Sequence, residues 1–225
     1  MLGSSVLNIK QSLLSMAFCC SKALASLIVV SLLLYCTSYN AGTSWHAQGR
    51  FVALNEDGTV DQEWGHITGH AIPSGLSRVK VVYSSGAAFA ALKEDGTVAV
   101  WGDSYFGGNA PPGLSGVKAI SSCNSAFAAL KYDGTVVSWG TNIGSNGGLD
   151  VPPGLSGVKG VYSNANAFAA LKEDGSVESW GMSGAGGDSR SVSTQISSDV
   201  KTIYSSGSAF AALKMTGRWY HGEII

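Results

Sequence analysis

The sequence predicts an all-β protein, a β-propeller whose blades are about 38–42 residues long. The phrase Ala-Phe-Ala-Ala-Leu-Lys starts at residues 88, 126, 167 and 209, and a weaker copy starts at 50. Its phenylalanines lie at 51, 89, 127, 168 and 210, a period of 38–42 residues. No apolar pattern of helical period follows residue 45. Repeats of this length indicate stacked supersecondary units, as in propellers and solenoids.

Each repeat reads as an antiparallel meander. A β-branched segment such as 117–122 is followed by the apolar run 126–131, and both have strand length. Asp-Gly comes next, at 133–134 in this unit, and predicts a hairpin with a type I′ turn. A strand ending in Trp-Gly, a Gly-rich loop and a short edge strand complete the unit. Proline cannot donate to a sheet ladder, so the Pro-containing segments are predicted to be edges or connections. The pattern gives three clear strands and a faint fourth.

The alanines of the second strand favour a propeller over a sandwich. Blades stack face to face, and small side chains let neighbouring sheets approach closely. Ala90 and Ala91 and their equivalents fit such inner positions, while Phe and Trp fill wider gaps farther out. The tryptophans before glycine, at 64, 101, 139 and 180, are therefore predicted to be core residues.

An N-terminal hydrophobic segment stands apart from the repeats. Lysines at 10 and 22 precede the apolar run 23–36, which fits a cleaved signal peptide. An uncleaved membrane tether over 23–41 and a mispredicted start stay open as alternatives. We expect a helical signal peptide or anchor over 1–38 and a repeat domain over 39–225. The expected units are 45–72, 73–110, 111–151, 152–196 and 197–225. This organisation implies a secreted or membrane-anchored protein with its repeats outside the cytoplasm.

The segment 156–181, Ser-Gly-Val-Lys to Glu-Ser-Trp-Gly, resembles the repeat of the regulator of chromosome condensation family. The Trp-Gly-Thr-Asn loop from Trp139 fits the same repeat. The short period is similar to the branch that includes a secreted seven-bladed β-lactamase inhibitor. The resemblance covers residues 45 to about 215 and implies four-stranded blades around an axis. It implies no single function, because this fold serves many.

Two features depart from that family. A histidine common in the second-strand region is replaced here by Ala or Ser. The 181 residues from Trp45 to Ile225 give about 4.6 periods, so the sequence predicts four to five blades. A small closed ring, an open arc, a fragment and a homodimer all stay open. The last two strands are one candidate for completing the first blade.

Charge and motifs argue against catalysis and nucleic-acid binding. The net charge of −1 offers no basic field for a polyanion. The histidines at 66 and 70 lie in a loop without the glutamate of a zinc-protease motif. We predict no enzyme activity, no cofactor and no metal. Cys123 is the only cysteine of the repeat region, and a small buried residue is expected there.

The loops after Trp-Gly vary while the strands repeat, and recognition usually resides in variable loops on a rigid scaffold. Tyr105 and Phe106 are adjacent aromatics in one such loop, and Asn142 lies in the next. These three are the candidate ligand-binding residues. The sequence favours a binding scaffold for a protein or glycan; the alternative is a structural subunit anchored to a membrane.

Overall fold

The computed structural model describes residues 51–64, 71–141 and 150–215. These residues form thirteen strands in five antiparallel sheets, with short 3-10 turns at Ser104–Phe106, Ser183–Ala185 and Arg190–Val192. The predicted all-β propeller of four to five blades is confirmed. Within these ranges no helix is long and apolar enough to span a membrane. The N-terminal hydrophobic helix lies outside the described residues, and the domain boundaries stay predictions.

The strands follow the repeat. Blade 1 contains β1 (Phe51–Leu54) and β2 (Val60–Trp64), and blade 2 contains β3 (Val79–Ser84), β4 (Ala88–Lys93) and β5 (Val98–Gly102). Blade 3 contains β6 (Val117–Ser122), β7 (Ala126–Lys131) and β8 (Val136–Gly140). Blade 4 contains β9 (Val158–Ser163), β10 (Ala167–Lys172) and β11 (Val177–Gly181). Blade 5 contains β12 (Val200–Ser205) and β13 (Phe210–Lys214). The Ala-Phe-Ala-Ala-Leu strand is central in each three-stranded blade.

Blades 2 to 4 have three described strands and blades 1 and 5 have two, not the four that the family resemblance implies. After β5 and β11 the chain folds into a 3-10 turn instead of an edge strand. Glycines at 107 and 186 end these turns in the left-handed conformation. The Pro-containing segments around 73, 111–112 and 152–153 carry no strand, because proline supplies no ladder donor.

The Asp-Gly hairpins are confirmed, but their predicted turn type is wrong. Lys93 N–H donates to Thr97 O at 3.0 Å, and Gly96 N–H donates to Lys93 O at 3.0 Å. Only Gly96 of the intervening loop has a positive φ, +78°, whereas a type I′ turn needs two such residues. The loop is therefore a three-residue connection with a glycine bulge. Asp95 Oδ1 accepts hydrogen bonds from Thr97 N–H at 2.9 Å and its hydroxyl at 2.6 Å.

Alternate residues of each central strand pack against opposite neighbours. We call the side of a blade that meets the following blade its forward face, and the other side its backward face. In β4, Ala88, Ala90 and Leu92 lie forward, in one core with Phe127 and Ala129 of blade 3. The next two interfaces repeat this arrangement. Alanines of the central strands are 0–1% exposed in blades 2 to 4, so no larger side chain fits at the alanine positions.

The backward face carries stacked aromatic pairs. Phe127 and Trp139 have ring centroids 5.3 Å apart, and the pairs Phe89–Trp101 and Phe168–Trp180 are alike. Such pairs add about 0.5–1.5 kcal/mol beyond area burial. The predicted core role of the described tryptophans is confirmed at 101, 139 and 180.

Backbone hydrogen bonds join each blade to the next at two places. At the Asp-Gly turns, the first valine of a blade donates its N–H to the turn glycine of the preceding blade. The pairs, at 2.9–3.0 Å, are Val79–Gly58, Val117–Gly96, Val158–Gly134 and Val200–Gly175. At the opposite edge, Gly86 N–H donates to Asn124 O at 2.7 Å, Asn124 to Ala165 at 2.9 Å, and Ala165 to Gly207 at 3.2 Å.

One expectation was that the last two strands complete the first blade, and in the described residues they do not. In the described residues β12 pairs with β13 in a sheet of their own, and β1 pairs with β2 in another. Each element of the repeat finds its partner within its own unit, since the connection between them is short and local.

We expect Gly175→Ala to lower the free energy of unfolding more than Gly154→Ala. Both glycines have φ near +80°, which costs an L-residue roughly 1–2 kcal/mol. A Cβ at Gly154 meets no atom within 4 Å, whereas one at Gly175 lies 2.8 Å from Asp199 N. The crowding should add about 1–3 kcal/mol to the loss at Gly175. Urea unfolding measures both; equal losses would show that inter-blade contact at this turn is not tight.

Candidate functional site: the loop edge of the blades

The variable loops lie together along one edge of the blades. Each central strand runs from a short connecting tip to an Asp-Gly turn, so the tips and the Trp-Gly loops share the opposite edge. We call this the loop edge and the other the turn edge. The described loop edge comprises the tips 85–87, 123–125, 164–166 and 206–208 and the loops 103–108 and 182–187.

The loop after β5 is held by its own backbone and by Asp103. The Asp103 carboxylate accepts a hydrogen bond from Tyr105 N–H at 2.8 Å. The Asp103 carbonyl accepts from Phe106 N–H at 3.0 Å and Gly108 N–H at 2.8 Å. Ser85 Oγ donates to Phe106 O at 2.7 Å, which ties the tip to the loop. The loop is thus a preorganised support for its side chains.

The two predicted aromatics have different surroundings. Tyr105 is 51% exposed. Phe106 is half-buried and packs against the core between blades 2 and 3. Their ring centroids are 5.2 Å apart at an interplanar angle of 68°. Phe106 therefore contacts the Tyr105 ring from the side of the core, and Tyr105 is the side chain presented to solvent.

This loop also contacts the following blade. Trp139 Nε1 donates to Gly107 O at 3.0 Å. A Cβ on Gly107 would lie 2.7 Å from the Phe127 ring, so only glycine fits here. The loop of blade 2 is consequently fixed by the aromatic pair of blade 3, and the loop edge is continuous across the two blades.

The loop after β11 has the same backbone with different side chains. Ala185 N–H and Gly187 N–H both donate to Met182 O at 2.9 Å. Gly184 and Ala185 stand where Tyr105 and Phe106 stand in blade 2. Asn164 replaces Ser85 at the tip: its Nδ2 donates to Ala185 O at 2.6 Å, and its Oδ1 accepts from Asn166 N–H and Ala167 N–H at 2.9 Å. One scaffold thus carries different side chains in different blades.

The third candidate, Asn142, lies outside the described residues. Blade 3 has Cys123 at the tip position taken by Ser85 and Asn164. Cys123 is buried, as predicted, and burial raises the pKa of its thiol.

The two edges differ in charge. The turn edge carries the Asp-Gly turns, which read Lys-Glu-Asp-Gly in blades 2 and 4 and Lys-Tyr-Asp-Gly in blade 3, with Arg78 and Glu94 paired at 3.2 Å. The hydroxyl of Thr135 hydrogen bonds to the Asp133 carboxylate and holds the pKa of Asp133 below its ordinary value; Thr97 does the same for Asp95. The described loop edge exposes Ser, Asn and Gly around Tyr105, with Asp103 half-buried at its margin. Within the described loop-edge residues it carries one carboxylate, Asp103, and one exposed aromatic ring, Tyr105.

Within the described ranges no group of three or more His, Cys, Asp or Glu side chains is placed to hold a metal ion. The histidines at 66 and 70 lie outside those ranges. Asp188, in the loop after β11, pairs with Arg190, and the hydrogen bonds from that guanidinium lower the Asp188 pKa to about 2. This exposed pair is a local loop contact.

Sequence reasoning missed the tips. Asn124 is exposed. Its carbonyl accepts a hydrogen bond from Gly86 N–H, and a Cβ on Gly86 would lie 3.1 Å from the Phe106 ring, so Asn124 lies near the Tyr105 loop. The signal was present in the sequence: the tip position reads Gly, Asn, Ala and Gly within an otherwise repeated phrase.

Comparison with known proteins gives structural neighbours alone. No protein-family model matches the chain, and no curated protein does. The chain is similar to the receptor kinase CR4 ectodomain of Physcomitrella patens, at 16% identity and TM-score 0.45, over 64% of this chain and 41% of that one. It is similar to the ACR4 CRINKLY WD40 ectodomain of Arabidopsis thaliana, at 19% identity and TM-score 0.46, over 58% and 46%.

A third neighbour is Prp20p of Saccharomyces cerevisiae, described with its binding to Gsp1p and histones. The identity is 20%, the TM-score 0.43, and the match covers 59% of this chain and 43% of Prp20p. Prp20 is the yeast RCC1 protein, so the predicted resemblance to RCC1-like repeats is confirmed among the structural neighbours. The chain spans less than half the length of these three proteins.

We expect Asn164→Ala to destabilise the protein and Asn124→Ala to leave its stability unchanged. Asn164 is buried, and its side-chain amide makes three hydrogen bonds to backbone groups. The substitution leaves these backbone groups without their partners, which costs about 1–3 kcal/mol of the free energy of unfolding. Asn124 is exposed and acts through its backbone. Urea unfolding of both variants checks this, and equal midpoints would contradict the tip-to-loop connection.

Proposed function

We propose that this protein is a non-catalytic binding scaffold that recognises a protein or glycan outside the cytoplasm through its loop edge. The observation that carries the proposal is the contrast between edges: Tyr105 stands exposed among mainly uncharged polar groups on one, while charged turns occupy the other. An amphipathic ring costs little conformational entropy to order and is favoured where binding sites need an anchor.

The rigidity of the loop supports this role. Asp103, Ser85 and Trp139 fix the backbone around Tyr105 through hydrogen bonds of 2.7–3.0 Å. A preorganised loop loses little freedom on binding, so more of the contact energy appears as affinity. The mainly uncharged surroundings favour an uncharged ligand, because the described loop edge offers few partners for ligand charges. A neutral glycan, whose sugar rings stack on aromatic faces, is the first candidate.

The hydrophobic leader supports an extracytoplasmic location, since a positive n-region with a short apolar run is typical of export signals. A second role, as an assembly subunit, is favoured by a different observation: the forward face of blade 5 is not covered as the equivalent faces are.

A pair of tyrosine variants tests the proposal. Tyr105→Ala should reduce binding to a panel of printed neutral oligosaccharides by at least about tenfold, since stacked aromatic anchors contribute 2 kcal/mol or more. Tyr132→Ala is the matched control, because Tyr132 is 70% exposed on the turn edge. Both variants should keep the unfolding midpoint of the parent.

Loss of binding in the Tyr105 variant alone supports a glycan site on the loop edge. Equal loss in both variants, or loss only on changing Tyr132, would contradict it. If no oligosaccharide binds the parent protein, the glycan form of the proposal is wrong and a protein ligand is left. Cross-linking through a photoreactive residue at position 105 then tests that form.

A further inference from the structure

The forward face of the last described blade is uncovered. In blades 2 to 4 the alanines at 90, 128 and 169 lie on the forward face and are 0–1% exposed, because the next blade covers them. Ala211 is their equivalent in blade 5, and it is exposed. The backward-facing Ala212 of the same strand is 6% exposed against blade 4. The blade is therefore packed on one side only.

The hydrogen-bond series at the tips ends at the same place. Each tip amide donates to the tip carbonyl of the following blade, from Gly86 through Asn124 and Ala165 to Gly207. The Gly207 carbonyl accepts from Ala165, but its own N–H has no backbone acceptor among the described residues. Blade 5 thus presents both the apolar surface and the donor that blades 2 to 4 use to hold a following blade.

The first blade carries the matching surface. The phrase Arg-Phe-Val-Ala-Leu puts Ala53 in the position of Ala91, Ala129 and Ala170, which face backward and are 0% exposed. Ala53 is only half-buried. Phe51 pairs in register with Trp64, as Phe89 does with Trp101. By sequence and register, blade 1 has the central-strand residues of that covering surface; the equivalents of the first-strand valines at 117, 158 and 200 would precede residue 51, outside the described residues.

We propose that two copies of this chain associate head to tail, with the backward face of blade 1 of one copy covering the forward face of blade 5 of the other. The contact repeats the central-strand packing that the chain already makes between its successive blades. It joins two different surfaces, so it is heterologous. The association uses the faces of the end blades and is independent of any ligand at the loop edge.

Complementation between two end-blocked variants tests this proposal. Ala211→Glu places a carboxylate on the forward face of blade 5, and Ala53→Glu places one on the backward face of blade 1. The full chain, in a mild nonionic detergent that solvates its leader, is examined by sedimentation velocity. The parent should associate with rising concentration. Each variant alone should have an association at least about tenfold weaker, since a buried unpaired charge is strongly destabilising.

Mixing the variants gives the distinguishing result. The intact blade 1 of the Ala211→Glu chain can cover the intact blade 5 of the Ala53→Glu chain, so an equimolar mixture should form dimers and nothing larger. Tyr132→Glu, a change at an exposed turn-edge residue, should associate like the parent. Circular dichroism establishes that each variant is folded, and Ala53→Gln replaces Ala53→Glu if the latter unfolds.

Three results would overturn the proposal. The first is that the parent stays monomeric at every concentration. The second is that association persists unchanged in Ala211→Glu, which would assign the association to the leader or another surface. In the third, the mixed variants stay monomeric although each is folded, which excludes a head-to-tail contact.

Discussion

The structure depends on one contact that recurs between blades: the carbonyl of the Asp-Gly turn accepts a hydrogen bond from the first valine of the following blade. The four described bonds are 2.9–3.0 Å long. The turn glycine must adopt a positive φ to close its own hairpin, and it must lie close to the next chain segment. At Gly134, for example, a Cβ would be 3.3 Å from Gly157 and Val158 backbone atoms. One residue therefore closes a hairpin and sets the distance between blades.

The other features follow from that close spacing. Sheets held this near to each other leave room only for alanine at the middle of the central strands, and the stacked Phe–Trp pairs occupy the wider part of the interface. The second series of hydrogen bonds, at the tips, fixes the opposite edge. Each blade contacts mainly its neighbours, so stability is a sum of blade terms and interface terms, as in other repeat proteins. The described part of the chain needs no disulfide, and its cysteine is free.

The repeat phrase predicted the blades because the same residue types recur at positions that have the same packing surroundings in each blade. Alanines at 90 and 91 and tryptophan at 101 have the burial that their repetition indicated. The turn type was wrong because Asp-Gly is compatible with two hairpin loops, and here the aspartate caps Thr97 while only the glycine is left-handed. The fourth strand was wrong because a local 3-10 turn satisfies the loop backbone.

The site was harder to predict than the fold. Tyr105 and Phe106 are neighbours in sequence. Only the packing of Phe106 against the core between blades 2 and 3 shows that Phe106 is a supporting residue and that Tyr105 is the exposed one. The tips form one edge through bonds between backbone atoms about 40 residues apart, such as Asn124 to Ala165. No residue type encodes such a bond. The difference in charge between the loop edge and the turn edge becomes visible only when the blades are stacked.

Amide hydrogen exchange at the tips tests the inter-blade hydrogen bonding most directly. Gly86 and Asn124 are exposed residues whose N–H groups bond only across blades, at 2.7 and 2.9 Å. Gly207 has the same place in its repeat and no backbone acceptor among the described residues, so it is the internal reference, measured in dilute Ala211→Glu protein. We predict slow exchange at Gly86 and Asn124 and fast exchange at Gly207. Equally fast exchange at all three would contradict an array held together by hydrogen bonds between blades.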